Sequence, residues 1–195
     1  MRLFTELYVE LDQTNKTNEK VEAIRFYFER AAPADAAWAF YFLSGRKPRQ
    51  IVPSKFLRDW AIEMSGIPEW LYLESRDTVG DGSETTALLV PNNSEMDETP
   101  LHVLVEQELL PLRGSDEATQ KAAVTKAWSE MNYSQRLVYN KLISGAFRVT
   151  CSRSSCTWVR FRVTWYSLSF LNSSEAKVAC CRLKANSNNN NFLIK

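Results

Sequence analysis

The chain has 195 residues, of which 45% are hydrophobic and 12% aromatic, enough to fill the core of one sizeable domain. It contains no run of about 18 uninterrupted apolar residues, so we expect no membrane-spanning helix. Acidic side chains at Glu6, Glu10 and Asp12 interrupt the apolar core that a secretory signal would need. A cytoplasmic location is therefore expected.

Charge and composition change abruptly near residue 150. Residues 1–150 contain 17 Lys and Arg against 22 Asp and Glu, whereas residues 151–195 contain 7 against 1. The second part also holds all four cysteines and a run of asparagines: Cys151, Cys156, Cys180, Cys181 and 188–191. The change predicts one domain over residues 1–150 and an unrelated tail over 151–195. Because the first part is acidic overall, it can hold nucleic acid only through cations gathered on one face.

Apolar residues recur at helical spacing throughout residues 1–150, which predicts about nine helices, no strand and an all-α fold. The expected helix starts are marked by capping residues or proline: Asp35, Ser54, Pro68, Ser83, Thr99, Ser115 and Ser134. Glycines mark three expected helix ends, at Gly45, Gly66 and Gly145. The tail differs, because residues 156–171 are rich in β-branched and aromatic side chains. It is predicted to be β-prone or disordered.

A cation-rich segment, residues 46–58, separates the predicted third and fourth helices. It contains five cations and no acid: Arg46, Lys47, Arg49, Lys55 and Arg58. A local excess of this kind is typical of a surface that contacts a phosphate backbone. A solvated turn between two helices explains the charges as well, so the charges alone leave both interpretations open.

Four blocks of sequence, in a fixed order, carry a resemblance to a known family. They are AWAFYFLSGRKPR at 37–49, GIPEWL at 66–71 with VGD at 79–81, LLPLRG at 109–114, and NKLISGAFRV at 140–149. Together they resemble the N-terminal helical DNA-binding domain of bacterial ATP-dependent DNA ligases, over residues 1–150. The intact enzymes use ATP and Mg²⁺ to seal nicks in DNA repair, recombination and replication. The resemblance therefore implies that this chain, as a monomer, binds nicked duplex DNA without sequence preference.

The resemblance also implies where the DNA is contacted. In the family, the segment that matches residues 140–149 lies against the minor groove. The candidate contacts that the resemblance implies are therefore Lys141, Ser144, Gly145, Phe147 and Arg148. They join the five cations of the cation-rich segment, which are candidates because of their charge. Backbone amides at a glycine turn, with a cation beside them, hold phosphate without reading sequence. The alternative is an ordinary helix end followed by a core phenylalanine.

The chain departs from the family pattern in several places. Gly82 and Ser83 stand where the family usually has Leu and Ala, which puts the packing of that turn in doubt, and Asp81 is interpreted as a helix cap. The match stops at Thr150, and the Lys-x-Asp-Gly motif that carries the family's adenylated lysine does not occur in the sequence. We therefore predict no catalytic residue, no cofactor held by this chain, and a domain truncated near residue 150.

No metal site is predicted. His102 is the only histidine, and Glu106 four residues further on gives at most two ligands on one helix face. The cysteine spacings do not match those of zinc knuckles. Two other functions stay open: a ligase whose catalytic part is supplied by another chain, and a non-catalytic helical protein-interaction module or non-functional truncated product. The acidic balance of residues 1–150 favours the interaction module.

Overall fold

The computed structural model describes residues 1–43, 50–91 and 97–146. These residues form nine α-helices and one π-helical segment, and no strand occurs among them. The α-helices are α1 Arg2–Gln13, α2 Thr17–Arg30, α3 Pro33–Leu43, α4 Ser54–Ser65, α5 Glu69–Val79, α6 Gly82–Leu89, α7 Leu101–Val103, α8 Glu117–Glu130 and α9 Tyr133–Ser144; the π-helix Leu104–Leu109 continues α7. The all-α prediction is confirmed for these residues. The predicted tail lies outside them.

The last of the described helices, α9, occupies the centre of the described fold. It packs against α6 and α1, and α6 packs in turn against α4 and α5. Val138, Leu142 and Ile143 are completely buried, and Tyr139 is nearly so. Because α9 is enclosed on most sides, its polar residues need internal partners. No helix in the described ranges has the length and apolar character required to cross a membrane.

Among these polar residues, Arg136 needs the most internal hydrogen-bond partners, because its charged side chain is completely buried. Its guanidinium donates to the carbonyls of Val90 at 2.7 Å, Pro91 at 2.8 Å and Trp128 at 2.8 Å. It also reaches the carbonyls of Ala87 and Met131. These carbonyls lie at the C-terminal ends of α6 and α8, where helix carbonyls lack partners and the helix dipole is negative. Arg136 therefore joins the ends of two helices to α9.

Several predicted helix caps are wrong. Ser54 was expected to cap α4, but it is the first residue of that helix, and Pro53 occupies the N-cap position without a side-chain cap. For two other caps the packing explains the difference. Asp35 was expected to cap α3, but α3 begins at Pro33, since proline suits the first helical position. The Asp35 carboxylate instead accepts a hydrogen bond from the His102 backbone amide at 2.9 Å and lies 2.6 Å from His102 Nδ1. It thus caps α7, a helix distant in sequence. Ser134 was expected to cap α9, but Asn132 does so by accepting from the Gln135 amide at 3.0 Å.

The helix that begins after Pro100 is anchored to α3 through two polar side chains. His102 contacts Asp35, and the Glu106 carboxylate accepts a hydrogen bond from Trp38 Nε1 at 2.9 Å. Both side chains therefore face α3, as their spacing of four residues predicts for one helix face. Among the described residues, no group of three or more His, Cys, Asp and Glu could hold a metal ion.

Candidate nucleic-acid interface

A backbone hydrogen bond brings two distant parts of the sequence together. The amide of Ile51, which belongs to the cation-rich segment, donates to the carbonyl of Ile143 in the last turn of α9 at 3.0 Å. Ile51 and Val52 are both buried, so this junction is part of the core. The described part of the cation-rich segment therefore enters α4 directly beside the end of α9.

A cleft of about 490 Å³ opens next to this junction. Its walls come from the N-terminal parts of α4 and α6, from α5 and the residues that join it to α6, and from the C-terminal part of α9. The charged residues that line it are Lys55, Arg58, Arg76 and Asp81. Three cations thus face one carboxylate in a concave surface, and we call this surface the α4–α6 cleft.

The N-terminus of α4 contributes unoccupied donors to the cleft. Pro53 stands at the N-cap position and offers no side-chain cap. The first amides of this helix with a backbone acceptor are those of Phe56 and Leu57, both of which donate to the Pro53 carbonyl. The amides of Ser54 and Lys55 have no acceptor among the described residues. Free amides at the positive end of a helix dipole favour an anion.

The cations of the cleft differ in how far they are already neutralised. Arg58 forms ion pairs with Asp59 at 2.9 Å and Glu69 at 3.7 Å, and the hydrogen bond to Asp59 raises the pKa of the guanidinium. Lys55 and Arg76 are exposed and form no ion pair with any described residue. The charge available to a ligand therefore resides on Lys55 and Arg76.

Lys141 lies behind the cleft, with its side chain only 12% exposed. Its ammonium is 2.5 Å from Asp81 Oδ2, while Asp81 Oδ1 accepts from the amides of Ser83 at 2.8 Å and Glu84 at 3.3 Å. Asp81 therefore caps α6, as predicted. Burial acts to raise the pKa of Asp81, but Lys141 and the two amides outweigh it and hold that pKa below the usual value.

The end of α9 turns sharply at Gly145, which is buried and adopts φ 68° and ψ 16°. This left-handed conformation suits glycine, because it has no Cβ. The Ser144 hydroxyl donates to the Asn140 carbonyl at 2.6 Å and accepts from the Ala146 amide at 3.4 Å. Asn140 continues the network by donating to the Ser83 carbonyl at 3.1 Å and accepting from Trp128 Nε1 at 2.7 Å.

The structure places half of the candidate DNA contacts in one region. Lys55, Arg58 and Ser144 line the α4–α6 cleft, and Lys141 and Gly145 lie in the α9 segment beside it. The remaining candidates lie outside the described residues: Arg46, Lys47, Arg49, Phe147 and Arg148. Contact with DNA stays a prediction for all ten.

Sequence reasoning did not single out Arg76. This residue is flanked by Glu74 and Asp77, so its surroundings in the sequence are not basic. The feature of the sequence that could have identified Arg76 is its position four residues after Tyr72. This spacing places both side chains on one face of α5. Tyr72 is buried, with its hydroxyl 2.9 Å from Thr86 Oγ1. That contact turns the shared face of α5 towards α6 and the cleft.

Comparison with known proteins connects this arrangement to one family. A family model described as the DNA ligase N terminus matches residues 1–157. All of the described residues lie within the matched range. No curated protein matches the chain.

Proposed function

As the chain belongs to the DNA ligase N-terminal family, that of the ATP-dependent enzymes, we propose that its helical domain binds nicked duplex DNA without sequence preference. In an intact ligase this domain would hold the duplex while a catalytic domain seals the nick, in repair, recombination and replication. The observation that carries the proposal is the Ile51–Ile143 hydrogen bond. This bond holds Ile51, which belongs to the cation-rich segment, beside the end of α9. The resemblance locates candidate DNA contacts at the same end of α9.

The chemistry of the α4–α6 cleft supports contact with the phosphate backbone. Its donors are an ammonium, two guanidinium groups, and the amides at the start of α4. Donors of these kinds bind phosphate oxygens, and they carry no direct information about base sequence. The expected binding is therefore general for duplex DNA.

The net charge of the domain is compatible with this function, because many cations on other faces are neutralised. Surface ion pairs join Lys16 to Glu19, Arg25 to Glu22 and Glu29, and Lys121 to Glu63. These pairs lower the positive potential of the surfaces that carry them. Lys55 and Arg76 have no such partners among the described residues. They therefore keep their positive charge in a domain that has more acidic than basic side chains.

The proposal is tested by fluorescence anisotropy of the full chain with a labelled duplex that carries one nick. Affinity is expected to fall steeply as salt rises from roughly 50 to 200 mM, with a log–log slope of about 0.9 for each phosphate neutralised. Scrambling the base sequence should leave the affinity unchanged. An absence of binding at low salt, or binding that is insensitive to salt, would favour the protein-interaction module instead.

A further inference from the structure

We propose that Arg76 and Lys55 together form a phosphate site in the α4–α6 cleft, and that the site holds one phosphodiester of the DNA backbone. This inference rests on the proposed function and deepens it, because it names a residue that neither the sequence motifs nor the family match assigns. Arg76 projects from the last turn of α5, and Lys55 lies in the first turn of α4. Both line the same cleft.

The Arg76 side chain lies beside the first turn of α6. A Cβ placed on Gly82 would lie 3.8 Å from Arg76 Nε. The guanidinium therefore rests against the first residue of α6. No described residue accepts a hydrogen bond from it, so its five N–H donors are available to a ligand.

The other charged groups around the site are already satisfied. Among the residues that the structure describes, Asp81 is the one carboxylate that lines the cleft, and it is occupied by Lys141 and by two backbone amides. Arg58 is paired with Asp59 and Glu69. The field that an incoming anion meets therefore comes mainly from Arg76, Lys55 and the free amides of α4.

The shape of the cleft favours a backbone phosphodiester over a base. Among the described residues, the aromatic one that lines it is Tyr72, which is only 2% exposed and offers no ring face for stacking. A volume of about 490 Å³ is within the range of ligand clefts, roughly 300–1,000 Å³, and it admits a phosphodiester with its flanking sugars. The site therefore binds the strand by charge and hydrogen bonds.

The experiment compares the full-length Arg76→Gln variant with the full-length Arg113→Gln variant. Arg113 is a matched control, because it is exposed, forms no ion pair with a described residue, and lies outside the cleft. Both variants lose one positive charge. Arg76→Gln is expected to weaken binding to nicked duplex roughly fivefold to tenfold at about 0.1 M salt. Arg113→Gln is expected to match the wild type.

Two further variants test the composition of the site. Arg76→Lys keeps the positive charge. DNA binding by this variant should therefore show most of the salt dependence that Arg76→Gln loses. The double variant Lys55→Gln/Arg76→Gln should lower the log–log salt slope by about 0.9, because the two cations share one phosphate. A fall of about 1.8 would mean two separate phosphates and would overturn the shared site.

The failure of this inference can be told from the failure of the proposed function. If the wild-type chain binds DNA but Arg76→Gln behaves like Arg113→Gln, the phosphate site is wrong and DNA binding stands. If the wild type does not bind, the proposed function fails. Inorganic phosphate at constant ionic strength is the last arm. Displacement of DNA by millimolar phosphate that disappears in Arg76→Gln is expected if both occupy this site, whereas phosphate that binds the wild type through Arg76 without lowering its affinity for DNA would show a site for free phosphate, not for the backbone.

Discussion

Lys141 and Asp81 form an ion pair of 2.5 Å that links the central helix α9 to the first turn of α6. The pair is partly buried, with the side chains 12% and 36% exposed. Asp81 also caps α6 through two backbone amides. One carboxylate therefore closes a helix terminus and neutralises a largely buried cation, at the edge of the surface proposed to meet DNA.

Replacing Asp81 should separate these two roles. Asp81→Asn keeps an N-capping side chain but removes the charge opposite Lys141, whereas Asp81→Ala removes both. Loss of the cap costs about 0.5–2 kcal/mol, so the free energy of unfolding should be lower for Asp81→Ala than for Asp81→Asn by that amount. Urea denaturation measures both values. Equal stabilities for the two variants would contradict the capping role.

The stabilisation from Asp81 should depend on pH with a definite sign. Its pKa is lower in the folded state than the usual value of 3.8. A carboxylate of this kind stabilises the fold above its unfolded pKa, and the stabilisation is lost as pH falls through the folded pKa. The difference in unfolding free energy between wild type and Asp81→Asn should therefore be constant near neutral pH and shrink below about pH 4. Urea denaturation at a series of pH values tests this, and a difference that grows as the pH falls would oppose it.

Arg136 should be the least replaceable of the described cations. Arg136→Met fills similar space but leaves five carbonyls at the ends of α6 and α8 without their donor. Unsatisfied buried polar groups cost about 1–3 kcal/mol each before relaxation, so a loss on the order of 3–5 kcal/mol in unfolding free energy is expected. Arg113→Met on the surface should change stability by less than about 0.5 kcal/mol. Similar urea midpoints for the two variants would rule out the bridging role.

The sequence was informative where structure depends on near neighbours. Apolar spacing predicted the helices of residues 1–150, and the position of Asp81 before α6 predicted its role as a cap. The sequence was uninformative where a side chain contacts a partner on a helix that is distant along the chain. Asp35 looked like a cap for its own helix, because nothing local shows that His102 will lie against it. The same limitation hid Arg76, whose environment arises from the packing of α5 on α6.

The chain is expected to form no covalent adenylate. In the ligases it resembles, the nucleotide is attached to the lysine of a Lys-x-Asp-Gly motif, and no such motif occurs in these 195 residues. Incubation with α-labelled ATP and Mg²⁺, followed by denaturation, should leave no label on the protein. A ligase that contains the motif serves as the positive control. Retained label would show that another lysine is the nucleophile.

Gly82 and Gly80 should respond in opposite ways to replacement by alanine. Gly82 begins α6 without a positive φ, and an added Cβ would meet Arg76 Nε at an ordinary contact distance of 3.8 Å. Alanine there lowers the entropy of the unfolded chain without strain, so Gly82→Ala should raise the unfolding free energy by about 0.4–1 kcal/mol. Gly80 has equally open surroundings but a φ of +80°. Gly80→Ala should therefore destabilise the domain by about 1 kcal/mol or more, because L-residues are strained in that conformation. Thermal and urea unfolding of the two variants, measured beside the wild type, give the sign of each change. Destabilisation by Gly82→Ala would mean that the first turn of α6 has no room for a side chain, and that the gap beside Arg76 is smaller than the structure shows.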